Sequence, residues 1–341
     1  MTRGIVCEEI GRLVWREDLP EPTIAPGRAI VRIRRIGICG TDLHAYRGRQ
    51  PFFDYPRILG HELAGVIEEV GDNSEGLRAG DQVSLIPYIH CGRCGACLSG
   101  KTNCCRQMQV FGVHTDGGMR ERVSMPVSHL IRTERLTLDQ SAMLEPLAIG
   151  AHGIRRAGVQ AGDTVLVIGA GPIGLGVMVL ARHAGANVIA MDLNAERLGF
   201  CRSWAGVGQT LTASGDSLAQ LEALTNGELV PIVIDATGSA ESMQQAFRFV
   251  SHGGTLVYVG LVKGQIAFDD PHFHSRELTL SASRNATRQD FDFVLDAMAA
   301  GVIDADRYIT HRAPLEEAAE RFESWLRPES KVIKAMVEIG D

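Results

Sequence analysis

The chain has 341 residues, 45% hydrophobic and 22% charged, enough for about two globular domains that each bury a core without disulfide staples. With 34 Lys and Arg against 41 Asp and Glu the formal charge is -7, so neither nucleic acid nor an anionic membrane is an expected partner. The acidic Glu8 and Glu9 stand where a signal peptide would run apolar, which predicts a cytoplasmic, reducing setting in which the eight cysteines do metal or redox work.

Residues 1–36 alternate apolar and polar side chains around prolines and glycines, as in Ala29-Ile30-Val31-Arg32-Ile33, and predict short antiparallel strands. The stretch from Gly37 to Glu62 carries chemistry. Cys39, His61 and Glu62 offer sulfur, nitrogen and oxygen, the donor types of a catalytic zinc with three protein ligands and an open position. Thr41 and His44 lie between them, a hydroxyl and an imidazole suited to carry a proton from a buried alcohol to solvent. Two further strands are expected over 64–71 and 77–83, which suits a small barrel-like domain.

Cys91, Cys94 and Cys97 have C-x2-C-x2-C spacing on a glycine-rich loop, and a fourth thiol from Cys104 or Cys105 would close a tetrahedral sulfur shell. A closed shell is structural, and spacing leaves the choice of fourth ligand open. His114 falls on a following loop and reads as a bystander. Glu145 interrupts the apolar run Met143-Leu144 to Leu147-Ala148. A carboxylate buried there needs a partner or a proton, so a bound cation is one reason for it, and an exposed helix start is the other.

The second half changes to α/β alternation. Asp163 to Ile168 reads as a buried strand running into Gly169-Ala170-Gly171-Pro172-Ile173-Gly174 and an apolar helix, and the next strand delivers Asp192. In that context the glycines are a dinucleotide fingerprint: Gly169 for the turn, Gly171 for approach of the pyrophosphate, Gly174 for close packing, Asp192 for the adenosine ribose. The acid favours NAD over NADP, while Arg197 lies close enough to admit the phosphate. Strands near 232–235, 255–259 and 278–281, a weak one around Thr210 and a helix over 239–250 complete a six-stranded doubly wound sheet. A helix from Leu315 to Leu326 and a strand over 331–339 close the chain.

Taken in order, Cys39-Gly-Thr-Asp-x-x-His, Gly60-His61-Glu62, the cysteine lobe and the Gly169 to Gly174 fingerprint resemble the zinc-dependent medium-chain alcohol dehydrogenases over essentially the whole chain. The resemblance implies a GroES-like β-barrel catalytic domain (1–150 and 286–341) with a zinc lobe at about 88–107, and a Rossmann coenzyme domain (151–285). It selects Cys105 as the fourth lobe ligand and implies two zincs per chain, NAD, and a dimer or tetramer. Leu144-Glu145-Pro146 is similar to the polyol branch typified by sorbitol dehydrogenase, where Glu62 and Glu145 would exchange as zinc ligands. Gln50 to Glu62, Lys101 to Cys105 and Ser283 to Thr287 more closely resemble bacterial L-galactonate and L-gulonate 5-dehydrogenases. These oxidise a sugar-acid hydroxyl to a ketone, and Arg284, Arg47 and Arg49 are then the candidate cations for the substrate carboxylate. A dehydrogenase of neutral polyols or L-threonine is the nearer alternative. A silent NAD-sensing protein is the remote one, since it would leave Cys39, Thr41, His44, His61, Glu62 and Glu145 without a joint purpose.

Overall fold

The computed structural model describes residues 1–50 and 53–340. Pro51 and Phe52 of the Gln50 to Glu62 segment, and Asp341 at the end of the expected 286–341 return, lie outside the described residues. The chain forms two compact units, Met1–Glu145 with Ala305–Asp341, and Pro146–Asp304.

The first unit opens with an antiparallel pair, β1 (Thr2–Glu9) and β2 (Arg12–Leu19), and the long strand β3 (Arg28–Ile38). A short helix, α1 (Gly40–Tyr46), separates β3 from β4 (Glu62–Val70) and β5 (Gln82–Leu85). The expected strand over 77–83 is thus displaced: Asn73 bonds the Leu77 amide and carbonyl, holding 73–77 as a turn. The cysteine lobe, with its one-turn helix α2 (Gly95–Leu98), is closed at its base by β6 (Tyr88–Ile89) and β7 (Gln109–Val110). Strands β8 (Arg122–Pro126) and β9 (Leu130–Arg132) follow, then α3 (Leu138–Ala142) and α4 (Leu144–Ala157).

In the second unit, β10 (Thr164–Ile168), α5 (Pro172–His183), β11 (Asn187–Asp192), α6 (Ala195–Trp204), β12 (Gln209–Thr212), α7 (Ser217–Leu224), β13 (Val230–Asp235), α8 (Ala240–Gln245), β14 (Val250–Tyr258), α9 (Asp270–Ser275), β15 (Thr279–Ala282) and α10 (Arg288–Ala299) alternate. Their strands pair in parallel in the order β12-β11-β10-β13-β14-β15, the doubly wound arrangement read from the sequence. The predicted helix over 239–250 is α8 followed by a 3-10 turn over Ala246–Phe249. The return to the first unit falls at Ala305 rather than at 286. The reason is α10, whose Phe291, Val294, Ala297 and Met298 are buried within the coenzyme unit, where it packs on α5.

The return consists of α11 (Ala305–Tyr308), β16 (Ile309–Pro314), α12 (Leu315–Trp325) and β17 (Lys334–Glu338). Leu315, Ala318, Phe322 and Trp325 form the buried face of α12, the helical spacing expected there. The strands join a seven-stranded sheet in the order β16-β17-β3-β4-β5-β9, with β8 also on β3. Its core, from Ile5 and Val31 to Phe322 and Val337, surrounds β3. Among the described residues no helix is long and apolar enough to cross a membrane.

Candidate active site

Strand pairing brings the donor set together. In the β3–β4 ladder Gly37 stands opposite Glu62, so Cys39, just past the end of β3, meets His61 and Glu62 at the start of β4. One ligand atom from each of Cys39, His61 and Glu62 lies within 4.8 Å of the others. Gly37 is obligatory here, because a Cβ at that position would overlap Glu62 Oε2 and crowd Met143.

Cys39 is the N-cap of α1, which places Thr41 and His44 three residues apart on one side of that helix. Asp42, quoted in the motif but given no role by sequence reasoning, is fully buried; its carboxylate accepts from Cys39 N at 2.9 Å and Gly60 N at 3.2 Å. It also sits 3.5 Å from His61 Nδ1, too loosely aligned to satisfy that buried nitrogen. Burial opposes charge on His61, but Asp42 and Cys39 outweigh it and hold the ring well above the ordinary imidazole range. His44 reaches the surface, and partial burial, helped by Arg49 and Arg47, keeps it below that range.

Two further residues complete the cluster. Lys334, the first residue of β17, lies beside β3 because Ala335 pairs with Ile38, and its Nζ is 2.7 Å from both oxygens of Glu62. Tyr88, from β6, donates its hydroxyl to Glu145. Glu145 is 3% exposed, which removes the alternative of an exposed carboxylate at a helix start. Burial pushes its pKa up to about 7, with Glu62 adding to the rise and His61, Tyr88 and Lys334 opposing it. Glu145 is not among the three residues that share the 4.8 Å grouping.

The residues fit a divalent cation. Cys39, Asp42, Glu62 and Glu145 bring four acidic side chains into the first unit's site, and Lys334 is the counter-ion of Glu62. His61 Nδ1 adds a buried, unsatisfied nitrogen, and a sulfur, nitrogen and oxygen donor set suits zinc. The second grouping is Cys91, Cys94, Cys97 and Cys105, again within 4.8 Å, whereas Cys104 is exposed and outside it. Four sulfurs fit a closed tetrahedral shell.

In the second unit Gly171 caps α5 and Pro172 and Ile173 begin it. A Cβ on Gly174 would overlap the Gly169 carbonyl, the close approach expected of the fingerprint. Asp192 at the end of β11 accepts from Ala170 N at 2.6 Å and Asn194 N at 2.8 Å, so the acid already braces the glycine turn. Arg197 is exposed in the first turn of α6. Arg284 is also exposed, and Asn285 beside it takes φ 53, in the left-handed region. The loop ends where Asp290 binds Thr287, Arg155 and His152. Arg47 and Arg49 lie on the surface of the first unit at the end of α1.

Residues 25–135 match the family described as "Alcohol dehydrogenase GroES-like domain" and residues 172–300 that described as "Zinc-binding dehydrogenase". The chain is 42% identical over 334 residues to the L-galactonate-5-dehydrogenase of Escherichia coli, covering 98% of each protein. It is 31% identical over 332 residues to the L-idonate 5-dehydrogenase of Vitis vinifera, covering 93% of this chain and 90% of that one. Among solved structures, an Escherichia coli alcohol dehydrogenase complexed with NADH superposes with a TM-score of 0.91 at 30% identity over 99% of both chains.

Proposed function

Since this chain belongs to the zinc-dependent medium-chain alcohol dehydrogenases, we propose that it oxidises a secondary hydroxyl of a sugar acid of the L-galactonate or L-gulonate type to a ketone, with NAD taking the hydride. The observation that carries the reading is the convergence of Cys39, His61 and Glu62 at the head of β4 in a chain 42% identical to an L-galactonate dehydrogenase. Bound zinc supplies Lewis acidity at the substrate hydroxyl, and bound NAD accepts the hydride.

The protein's own residues do the rest. Cys39, His61 and Glu62 hold the ion, with Glu145 at hand as the exchanging carboxylate; Asp42 fixes the backbone of both Cys39 and Gly60 and so the direction of the thiolate and the imidazole. Thr41 takes the hydroxyl proton and His44, at the surface, passes it to solvent. Lys334 holds the carboxylate of Glu62 in one orientation and balances its charge. Cys91, Cys94, Cys97 and Cys105 hold a second, structural zinc. The backbone from Gly169 to Gly174 receives the pyrophosphate, and Asp192 takes the ribose hydroxyls with a preference for NAD, Arg197 being the group that would admit NADP. Arg284, Arg47 and Arg49 are the cations for the substrate carboxylate. A cytoplasmic dimer or tetramer completes the proposal, supported by the family resemblance.

NADH formation with L-galactonate, L-gulonate, sorbitol, xylitol and L-threonine, each with and without a zinc chelator, tests it. Turnover of the sugar acids that the chelator abolishes is the expected result. Turnover of sorbitol or L-threonine alone would move the enzyme to that branch and remove the carboxylate role of the arginines.

A further inference from the structure

Tyr88 is a buried titratable group that the reaction as proposed does not use. It is 4% exposed, and its phenolic hydroxyl serves as a hydrogen-bond donor to Glu145. Its backbone has little freedom. Tyr88 pairs with Val110 in the β6–β7 ladder, the Phe111 amide binds the preceding Pro87 carbonyl at 2.9 Å, and the Tyr88 carbonyl lies 3.3 Å from His129 Nε2. These contacts close the base of the cysteine lobe, with Cys91 three residues further on. From that footing the hydroxyl reaches Glu145 Oε1 in the first turn of α4.

A buried carboxylate next to a metal site can be protonated, ligate the ion, or accept a hydrogen bond that fixes it elsewhere. The structure shows the third: Glu145 bonds to Tyr88 and stands outside the grouping formed by Cys39, His61 and Glu62. We propose that Tyr88 is a positioning residue whose hydroxyl holds Glu145 aside from the Cys39, His61 and Glu62 donor set, leaving one position at the ion for the substrate hydroxyl. The inference rests on the zinc reading of that set. It makes the Tyr88 hydroxyl the brake on the exchange of Glu62 and Glu145 as ligands.

The test compares the full-length enzyme loaded with Co2+ in four forms: wild type, Tyr88→Phe, Glu145→Gln and the double variant. The lobe contributes the same bands to all four. Tyr88→Phe frees Glu145 to join the ion, so its visible cobalt spectrum without substrate should shift. Release of the catalytic metal to a chelator should slow on the order of tenfold, the scale of outer partners of metal ligands. KM should rise more than kcat falls. Adding Glu145→Gln should abolish all three effects, since the tyrosine acts only through that carboxylate. A Tyr88→Phe spectrum and release rate equal to wild type, with Glu145→Gln altering both, would overturn the positioning role while leaving Glu145 at the metal. If neither single variant changes the cobalt signal, the placement of Glu145 beside the ion fails and takes the inference with it. Tyr88→Phe effects that persist undiminished in the double variant would show a general disturbance of the lobe, and also overturn it.

Discussion

Replacing Lys334 with methionine isolates the charge balance of the site. Lys334 Nζ is 2.7 Å from both Glu62 oxygens, and the two side chains are 2% and 0% exposed. Methionine keeps most of the volume and leaves Glu62 buried without its counter-ion, a loss of about 3–5 kcal/mol when one partner of a buried pair is removed. At roughly 2–4 °C per kcal/mol for a domain of 150–250 residues, melting of the first unit should fall on the order of 6–20 °C. Zinc on Glu62 supplies a second counter-charge, so the zinc-loaded variant should lose less than about half as much as the zinc-free one. The lysine's own titration does not intrude. Burial works against the ammonium, but Glu62 outweighs it and holds the pKa above 10.5; stability from a raised pKa is fully present below the unfolded value and is lost only as pH rises through the folded one, far above neutrality. Calorimetric melting of zinc-loaded and chelated wild type and variant at pH 7 gives the four numbers required. A zinc-free loss below about 1 kcal/mol, or equal losses in both metal states, would refute the idea that Lys334 and the ion share the neutralisation of Glu62.

Other variants address the remaining parts of the site. Thr41→Val should lower turnover by roughly 100-fold with NAD affinity little changed, as steady-state kinetics and a binding titration would show; undiminished turnover removes Thr41 from the proton path. Cys94→Ser should take metal content from two zincs to one and lower the melting temperature, and a variant that retains both ions would remove Cys94 from the sulfur shell. Asp192→Ala should weaken NAD by roughly 10- to 100-fold, the worth of about 1.5–3 kcal/mol in hydrogen bonds to a charged group, and weaken NADP less; equal losses for the two coenzymes would show that bracing the Ala170 amide is its only role. His129 gives a pH signature: burial, with His90 and Arg28 adding and the Tyr88 carbonyl opposing, lowers its pKa from 6.5 to about 4. An imidazole kept neutral by folding contributes stability that is present above the unfolded pKa and lost as pH falls from 6.5 towards 4, about 2 kcal/mol between pH 7 and pH 5. His129→Gln should flatten stability over that interval, and an unchanged slope would place the acid sensitivity elsewhere.

What could be read from the sequence depended on distance along the chain. The Cys39 motif, the lobe cysteines and the glycine fingerprint each fit within a few dozen residues, and their spacing constrains geometry directly. Four of the six parallel strands, β10, β11, β13 and β14, are legible for the same reason, each holding a short apolar run before a turn or a helix, whereas β12 (Gln-Thr-Leu-Thr) and β15 (Thr-Leu-Ser-Ala) are marked more weakly. Cys104 and Cys105 could not be told apart by spacing, since both follow Cys97 closely; only the fold of the lobe turns one thiol inward and the other to solvent. The end of the coenzyme unit is not legible in the sequence, because the apolar positions of α10 show that the helix is buried, not which unit it is buried in.

Lys334 and Tyr88 show a harder limit. A lysine opening a C-terminal strand and a tyrosine in an apolar pair carry no local mark of a metal site. Lys334 meets Glu62, 272 residues away, only because β17 and β4 flank β3 in the registers Ala335 to Ile38 and Gly37 to Glu62. Side chains alternate between faces along a strand, so a slip of one residue in either ladder would turn one partner to the opposite face and leave Glu62 without a counter-ion. Glu62, the proposed metal donor, is therefore also a test of sheet register. The buried carboxylate tolerates only the pairing that brings it the lysine, and the chemistry of the site thereby helps to specify the fold that builds it.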